Sequence, residues 1–294
     1  MAQQIPMSQS DVTGEAQDDG TIEVAPDLAY LRLAFVNAVF FGAPRTPGWV
    51  LIDAGVVGMA NRIRQAAVER FGADVPPAAI VLTHGHFDHV GALEELAREW
   101  DVPVYAHPLE APYLDGSASY PPPDPTVGGG LTSLLSPLFP RGPVDVRDRL
   151  RPLPEDGPKD GNVPPMPGWR WLHTPGHSVG HVSLWRDADR ALIAGDAFVT
   201  TAQESAYAAV TQEPELHGPP KYFTHDWQAA RESVRRLAAL APELAVTGHG
   251  RAMRGEAMRD ALQTLARDFD QVAVPDGGRF VDAPQRAEDG SAYR

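Results

Sequence analysis

Four residues able to bind metal fall within six positions of this sequence: His84, His86, Asp88 and His89, in the run Thr83-His84-Gly85-His86-Phe87-Asp88-His89. Imidazole and carboxylate groups together are the donors that zinc-type ions select. In an extended segment, residues two apart share a face, so His84 and His86 can grip one ion. A turn into a helix then swings Asp88 and His89 toward a second point. Gly85 permits a tight backbone between the two histidines. Three further groups have a similar setting. His177, Asp196 and His249 each follow a β-like run and are flanked by glycine. Taken singly, each reads as a satisfied loop polar residue. With the first cluster they make seven donors, enough for two ions.

The elements that must hold these groups alternate between strand and helix. Ala79-Ile80-Val81-Leu82 is a short buried strand, and Leu93, Leu96, Ala97 and Trp100 recur downstream at helical spacing. Strand-like runs also occupy Thr21–Val24, Tyr30–Phe41, Trp49–Ile52, Val102–Ala106, Gly168–Leu172, Val182–Trp185, Ala191–Ala194 and Leu244–Thr247. A helix is expected with Met59, Ile63, Ala66, Ala67 and Phe71 on its spine, stopped by Gly72. Two more are expected at about 226–240 and 255–270, with Ala230, Val234, Leu237 and Met258, Leu262, Leu265 on their apolar stripes. Every candidate donor lies just past a strand's C-terminal end, where α/β folds place their sites.

Composition bounds the rest. The chain has 294 residues, 43% of them hydrophobic, enough for a sizeable core. A formal charge of −14 repels phosphate backbones and disfavours a nucleic acid partner. With no cysteine, disulfides and thiolate ligands are excluded, so a metal must be held by His, Asp and Glu. Residues 1–20 are polar, without a signal-peptide core, and read as a flexible tail. No apolar run approaches the roughly 20 residues of a membrane span. The expected location is cytoplasmic. Residues 112–168 are crowded with Pro and Gly and read as an insertion that could form a lid. The main domain spans 21–275, and 276–294 reads as a flexible C-terminal tail.

The sequence resembles the metallo-β-lactamase superfamily. The matching segments are the strand ending in Asp53, the Thr83–His89 cluster with Val90-Gly91-Ala92, the loop Thr174-Pro175-Gly176-His177 with Gly180-His181, and the ends Gly195-Asp196 and Gly248-His249. Their order and spacing cover roughly residues 21–270. The resemblance implies an α/β fold, an αββα sandwich of two mixed sheets flanked by helices. It implies a first metal on His84, His86 and His177, a second on Asp88, His89 and His249, and Asp196 bridging them. Asp53 is expected to bond a ligand histidine or loop amides. Class B1 and B2 β-lactamases carry Cys where this chain has Asp196, which points to the branch containing glyoxalase II and the lactonases. That branch implies a dinuclear hydrolase, with zinc first and iron or manganese as alternatives. Its expected substrate is a small ester, thioester or lactone, with Asp88 orienting the nucleophile and returning a proton. The lactonase tyrosine is replaced by Val199, leaving Tyr207 and Tyr222 as substitutes. His173 and His181 are possible orienting donors, and His217 and His225 could line a substrate rim. Competing readings are a phosphodiesterase for small nucleotide or phosphate esters, a mononuclear iron dioxygenase acting on a persulfide, and a non-catalytic metal-binding module. A homodimer is left open.

Overall fold

The computed structural model describes residues 5–155 and 160–294; positions 1–4 of the N-terminal tail and 156–159 of the insertion lie outside the described residues. The long β-like run from Tyr30 is two strands. Leu28–Leu33 folds back on Val36–Phe41, with Leu33 paired to Val36 and Ala34 at φ 62° in the turn. The turn has no glycine or asparagine, so the alternation of apolar residues conceals it.

This hairpin belongs to an eight-stranded sheet whose order is Glu15–Ala16, Ile22–Ala25, Leu28–Leu33, Val36–Phe41, Val50–Ile52, Ala79–Val81, Val104–Ala106 and Leu150–Pro152. Its first five strands are antiparallel and its last three join in parallel. A six-stranded sheet runs Asp160–Asn162, Trp169–His173, Val182–Arg186, Ala191–Gly195, Leu244–Thr247 and Met253–Arg254, antiparallel except for the central pair Ala191–Gly195 with Leu244–Thr247. The two sheets share an apolar layer in which Tyr30, Val50 and Ile52 meet Trp169, Trp171 and Ile193. The helices Ala60–Phe71 and Leu93–Trp100 cover the outer face of the first sheet. Trp227–Ala239 and Glu256–Arg267 cover that of the second. The result is the expected αββα sandwich. Aromatics fill the outer layer: Trp49 stacks on Phe71 with ring centroids 4.5 Å apart, and each such buried ring contributes about 1.5–3 kcal/mol.

The insertion contributes edge strands to both sheets, Leu150–Pro152 and Asp160–Asn162. Both polar termini make specific contacts. Ile5–Pro6 pairs with Glu215–Leu216, and Glu15–Ala16 pairs with the strand Ile22–Ala25. The segment 276–294, polar enough to read as loose, carries two aromatic anchors. Phe280 is buried against His225, and the Tyr293 hydroxyl donates to the Leu109 carbonyl. Among the described residues, no helix is long and apolar enough to cross a membrane.

Candidate metal centre

Four strands, Ala79–Val81, Trp169–His173, Ala191–Gly195 and Leu244–Thr247, end at one edge of the sandwich, and the loops leaving them carry all seven donors. None of the seven is more than 7% exposed. Three groups have their donor atoms within 4.8 Å of one another: His84, His86 and His177; His84, His89 and Asp196; Asp88, His89 and His249. Asp196 stands between the outer groups, with Oδ2 3.4 Å from His177 Nε2 and 3.1 Å from His249 Nε2. His86 Nδ1 lies 2.9 Å from His177 Nε2, and His249 Nε2 lies 3.4 Å from Asp88 Oδ2. Donors around a tetrahedral zinc-type ion, with bonds near 2.1 Å, stand roughly 3.4 Å apart.

The hydrogen bonds around this cluster fix which ring nitrogen faces it. His249 Nδ1 lies 2.8 Å from the Phe35 carbonyl, which can only accept, so Nδ1 carries the proton. His89 Nδ1 likewise donates to Asp53 Oδ2 at 2.8 Å. His84 Nδ1 donates to Thr83 Oγ1 at 3.0 Å, and that hydroxyl donates onward to Asp53 Oδ2 at 2.7 Å. His177 Nδ1 donates to Thr224 Oγ1 at 3.3 Å, whose own proton goes to the Pro220 carbonyl. Four Nε2 lone pairs are thereby left facing the centre. His84 Nε2, His89 Nε2 and Asp196 Oδ1 are buried there without a hydrogen-bond partner, an expensive arrangement unless a cation completes it. The donor set and its orphaned atoms therefore fit divalent metal.

Electrostatics divides the cluster. Burial, reinforced by neighbouring imidazoles, holds His84 and His86 well below the usual histidine range; burial also holds His177 well below it, against the pull of Asp196. Burial opposes protonation of His89 and His249 too, but Asp196 outweighs it and raises both. The same histidines draw Asp196 well below the carboxylate range despite its burial, whereas burial pushes Asp88 up. Close packing is built in at Gly248, where a Cβ would fall 2.0 Å from Asp196 Oδ1.

Asp53 performs both tasks expected of it, bonding His89 and also accepting from the Thr83 N–H at 2.8 Å. His181 Nε2 accepts from the Asp196 N–H at 2.9 Å, so it orients the Asp196 loop. His173 Nε2 donates to the Val179 carbonyl at 2.9 Å, within the loop that carries His177, and its ring stacks on His107 with centroids 4.3 Å apart. His217 pairs with Glu204 at 3.0 Å. His225 is buried 5.9 Å from His86, centroid to centroid, and neither of its ring nitrogens has a hydrogen-bond partner. Of the two tyrosines, Tyr207 is 71% exposed, while Tyr222 is buried and feels the Asp88 and Asp196 charges. Sequence reasoning passed over Tyr120, whose ring lies 4.3 Å from that of His86, and the Phe35 carbonyl. Neither carries a local signal, since each reaches the site from a distant part of the chain. A cavity of about 890 Å³ opens near Lys221, Glu204 and Gly128. None of the seven donors lines it; the buried pair Tyr222 and Phe223 and the neighbouring Val127 form one apolar cluster beside it.

Residues 31–249 match the model of the metallo-beta-lactamase superfamily. The chain is 46% identical over 251 residues to the probable metallo-hydrolase YflN of Bacillus subtilis, covering 85% of this chain and 94% of that one. Among solved structures, TTHA1623 in a di-iron-bound form is 26% identical, with TM-score 0.50 and coverage of 81% and 96%. A beta-lactamase domain protein from Burkholderia ambifaria shares the fold with TM-score 0.59 at 22% identity, over 91% of this chain and 76% of that one. With three quarters of its length matched by that model, the chain belongs to the metallo-beta-lactamase superfamily.

Proposed function

We propose that this protein is a metal-dependent hydrolase that cleaves a small ester, thioester or lactone with two divalent ions, zinc before iron or manganese. The observation that carries the reading is the set of four imidazoles whose Nδ1 protons are all committed outward, leaving Nε2 lone pairs aimed at two buried carboxylates. A relative named as a probable metallo-hydrolase and a structural neighbour holding two irons support it.

In this reading His84, His86 and His177 would hold one ion and Asp88, His89 and His249 the other, with Asp196 standing between the two groups as a carboxylate available to either. Such ions, when bound, act as Lewis acids and make water nucleophilic near neutral pH. The chain's own groups do the rest. Asp88 accepts a proton from the attacking water and returns it to the leaving group. Tyr222, kept protonated by burial and by the Asp88 charge, donates to the substrate oxygen that gains charge. The 112–168 insertion is the lid: Tyr120 covers His86, and Phe139 packs on Phe87 with ring centroids 5.1 Å apart, excluding water. A cytoplasmic setting, as monomer or homodimer, completes the reading.

The test is metal analysis of the purified protein together with a panel of esters, thioesters and lactones. Chelation is expected to abolish turnover and Zn2+ to restore it; turnover surviving complete metal removal refutes the proposal. Cleavage of bis-p-nitrophenyl phosphate alone would move the reading to a phosphodiesterase. One iron per chain with oxygen uptake on a persulfide would move it to a dioxygenase.

A further inference from the structure

Glu110 is outside the donor set, yet it touches both loops that supply the His84, His86 and His177 group. It sits at the end of the short helical turn Pro108–Glu110, just after the strand Val104–Ala106, and its relative exposure is 0%. Each of its carboxylate oxygens takes one backbone N–H and one hydroxyl. Oε2 accepts from the Gly85 N–H at 2.9 Å and from the Tyr120 hydroxyl. Oε1 accepts from the Gly180 N–H at 2.8 Å and from the Ser178 hydroxyl at 2.8 Å. Gly85 lies between His84 and His86, and Ser178 follows His177 directly. Tyr120, the remaining partner, lies against the His86 ring.

The surroundings are shaped around this side chain. A Cβ at Gly180 would fall 2.7 Å from Glu110 Cγ and 2.9 Å from Oε1. A Cβ at Gly85 would fall 3.0 Å from Tyr120 Oη. The Gly180 loop therefore approaches Glu110 as closely as glycine allows, and Gly85 packs tightly on Tyr120, its partner on Oε2.

We propose that Glu110 is a positioning residue, a carboxylate clamp that sets the separation of the His84–His86 loop from the His177 loop and so the geometry and affinity of their metal site. This rests on the metal reading above. The clamp requires a carboxylate. Serine and tyrosine hydroxyls can turn round to donate or accept, but the Gly85 and Gly180 N–H groups cannot. A glutamine of the same shape must turn its NH2 toward one of those two N–H groups, so one loop is released whichever way the amide points.

The experiment is Glu110→Gln in the full chain, with Zn2+ affinity and stoichiometry measured by chelator competition and the visible spectrum recorded with Co2+. One of the two sites is expected to weaken about 10- to 100-fold, as when a ligand's supporting partner is lost. The Co2+ spectrum is expected to change with it, while the metal-free protein keeps its cooperative melt. Ser178→Ala removes one hydroxyl donor and leaves both N–H bonds, so a smaller loss of about three- to tenfold is expected; this variant decides the matter if E110Q does not fold. Wild-type affinity and an unchanged Co2+ spectrum in E110Q, or in S178A where E110Q is unfolded, would overturn the clamp. Failure of the wild-type protein to bind any divalent ion would instead overturn the metal reading on which the clamp depends.

Discussion

Asp53→Asn is the substitution on which the tautomer argument is most exposed. Asp53 Oδ2 receives the His89 Nδ1 proton and the Thr83 hydroxyl proton, and Thr83 in turn receives the His84 Nδ1 proton. One carboxylate oxygen thus sets two imidazoles, each with Nε2 free toward the centre. Asparagine preserves the outline, and it tolerates the left-handed backbone at this position, where φ is 60°. Its carbonyl oxygen must stay on the Thr83 N–H, which Asp53 Oδ1 now meets at 2.8 Å. The NH2 group then replaces Oδ2 and can only donate. Thr83 Oγ1 must accept from it and send its own proton to His84 Nδ1. His89 Nδ1 must accept as well. Both rings are driven to the tautomer with hydrogen on Nε2, where a metal cannot bind.

Restoring the productive tautomers would leave donors facing donors in a buried place, at a cost of about 1–3 kcal/mol. That corresponds to a loss of about 10- to 100-fold in metal affinity. Because the proposed function assigns His84 to one ion and His89 to the other, both ions are expected to bind more weakly, whereas E110Q weakens one. Chelator competition on refolded D53N protein measures this, and a metal-free melting midpoint within a few degrees of wild type shows that the fold has survived. A D53N protein that takes up two ions with wild-type affinity would refute the tautomer assignment.

Two other outcomes follow from the buried histidines. Burial and the neighbouring His173 depress His107 to about 3, so it stays neutral when folded and gains a proton on unfolding below about pH 6.5. Its contribution is intact above the unfolded value and is lost as pH falls toward 3, by about 1.4 kcal/mol per pH unit at most. His107→Asn, which keeps an acceptor for the Leu109 N–H, should flatten the acid limb of a denaturant-midpoint titration; an unchanged slope counts against a buried neutral His107. At the centre the direction is opposite for His89 and His249, whose proton affinity Asp196 raises despite their burial, so a proton competes with a metal ion for the same Nε2 atoms. Ion uptake should therefore release protons, and affinity should fall as pH falls; calorimetry in buffers of different ionisation enthalpy would expose proton-neutral binding if this is wrong.

The donors were legible because their information is local: residue type, a spacing of two or three, and a position just past an apolar run. Their orientation was less so. Thr83 and Asp53 lie within matching segments of the sequence, but the acceptor for His249 is a carbonyl 214 positions away, in a turn with no turn-forming residue. Glu110 reaches Gly85 across 25 positions and Gly180 across 70, with nothing in the run Ala106-His107-Pro108-Leu109-Glu110 to announce it. Tyr207 and Tyr222 could not be ranked because the loops around them have no periodicity; burial separates them at once. The polar average of the last residues concealed Phe280 and Tyr293, each of which anchors that segment near the site.

The pattern has a physical cause. A ligand must be a particular atom type, so chemistry restricts it to a few residues that can be recognised by eye. An orienting partner need only be an acceptor in the right place, and a carbonyl, a hydroxyl and a carboxylate all qualify. Here the four Nδ1 protons end on Thr83, Asp53, Thr224 and the Phe35 carbonyl, supplied by three loops and a hairpin turn. The αββα sandwich is what brings those segments to one edge. The seven donors make a metal site conceivable, but it is the fold that points their lone pairs at one place.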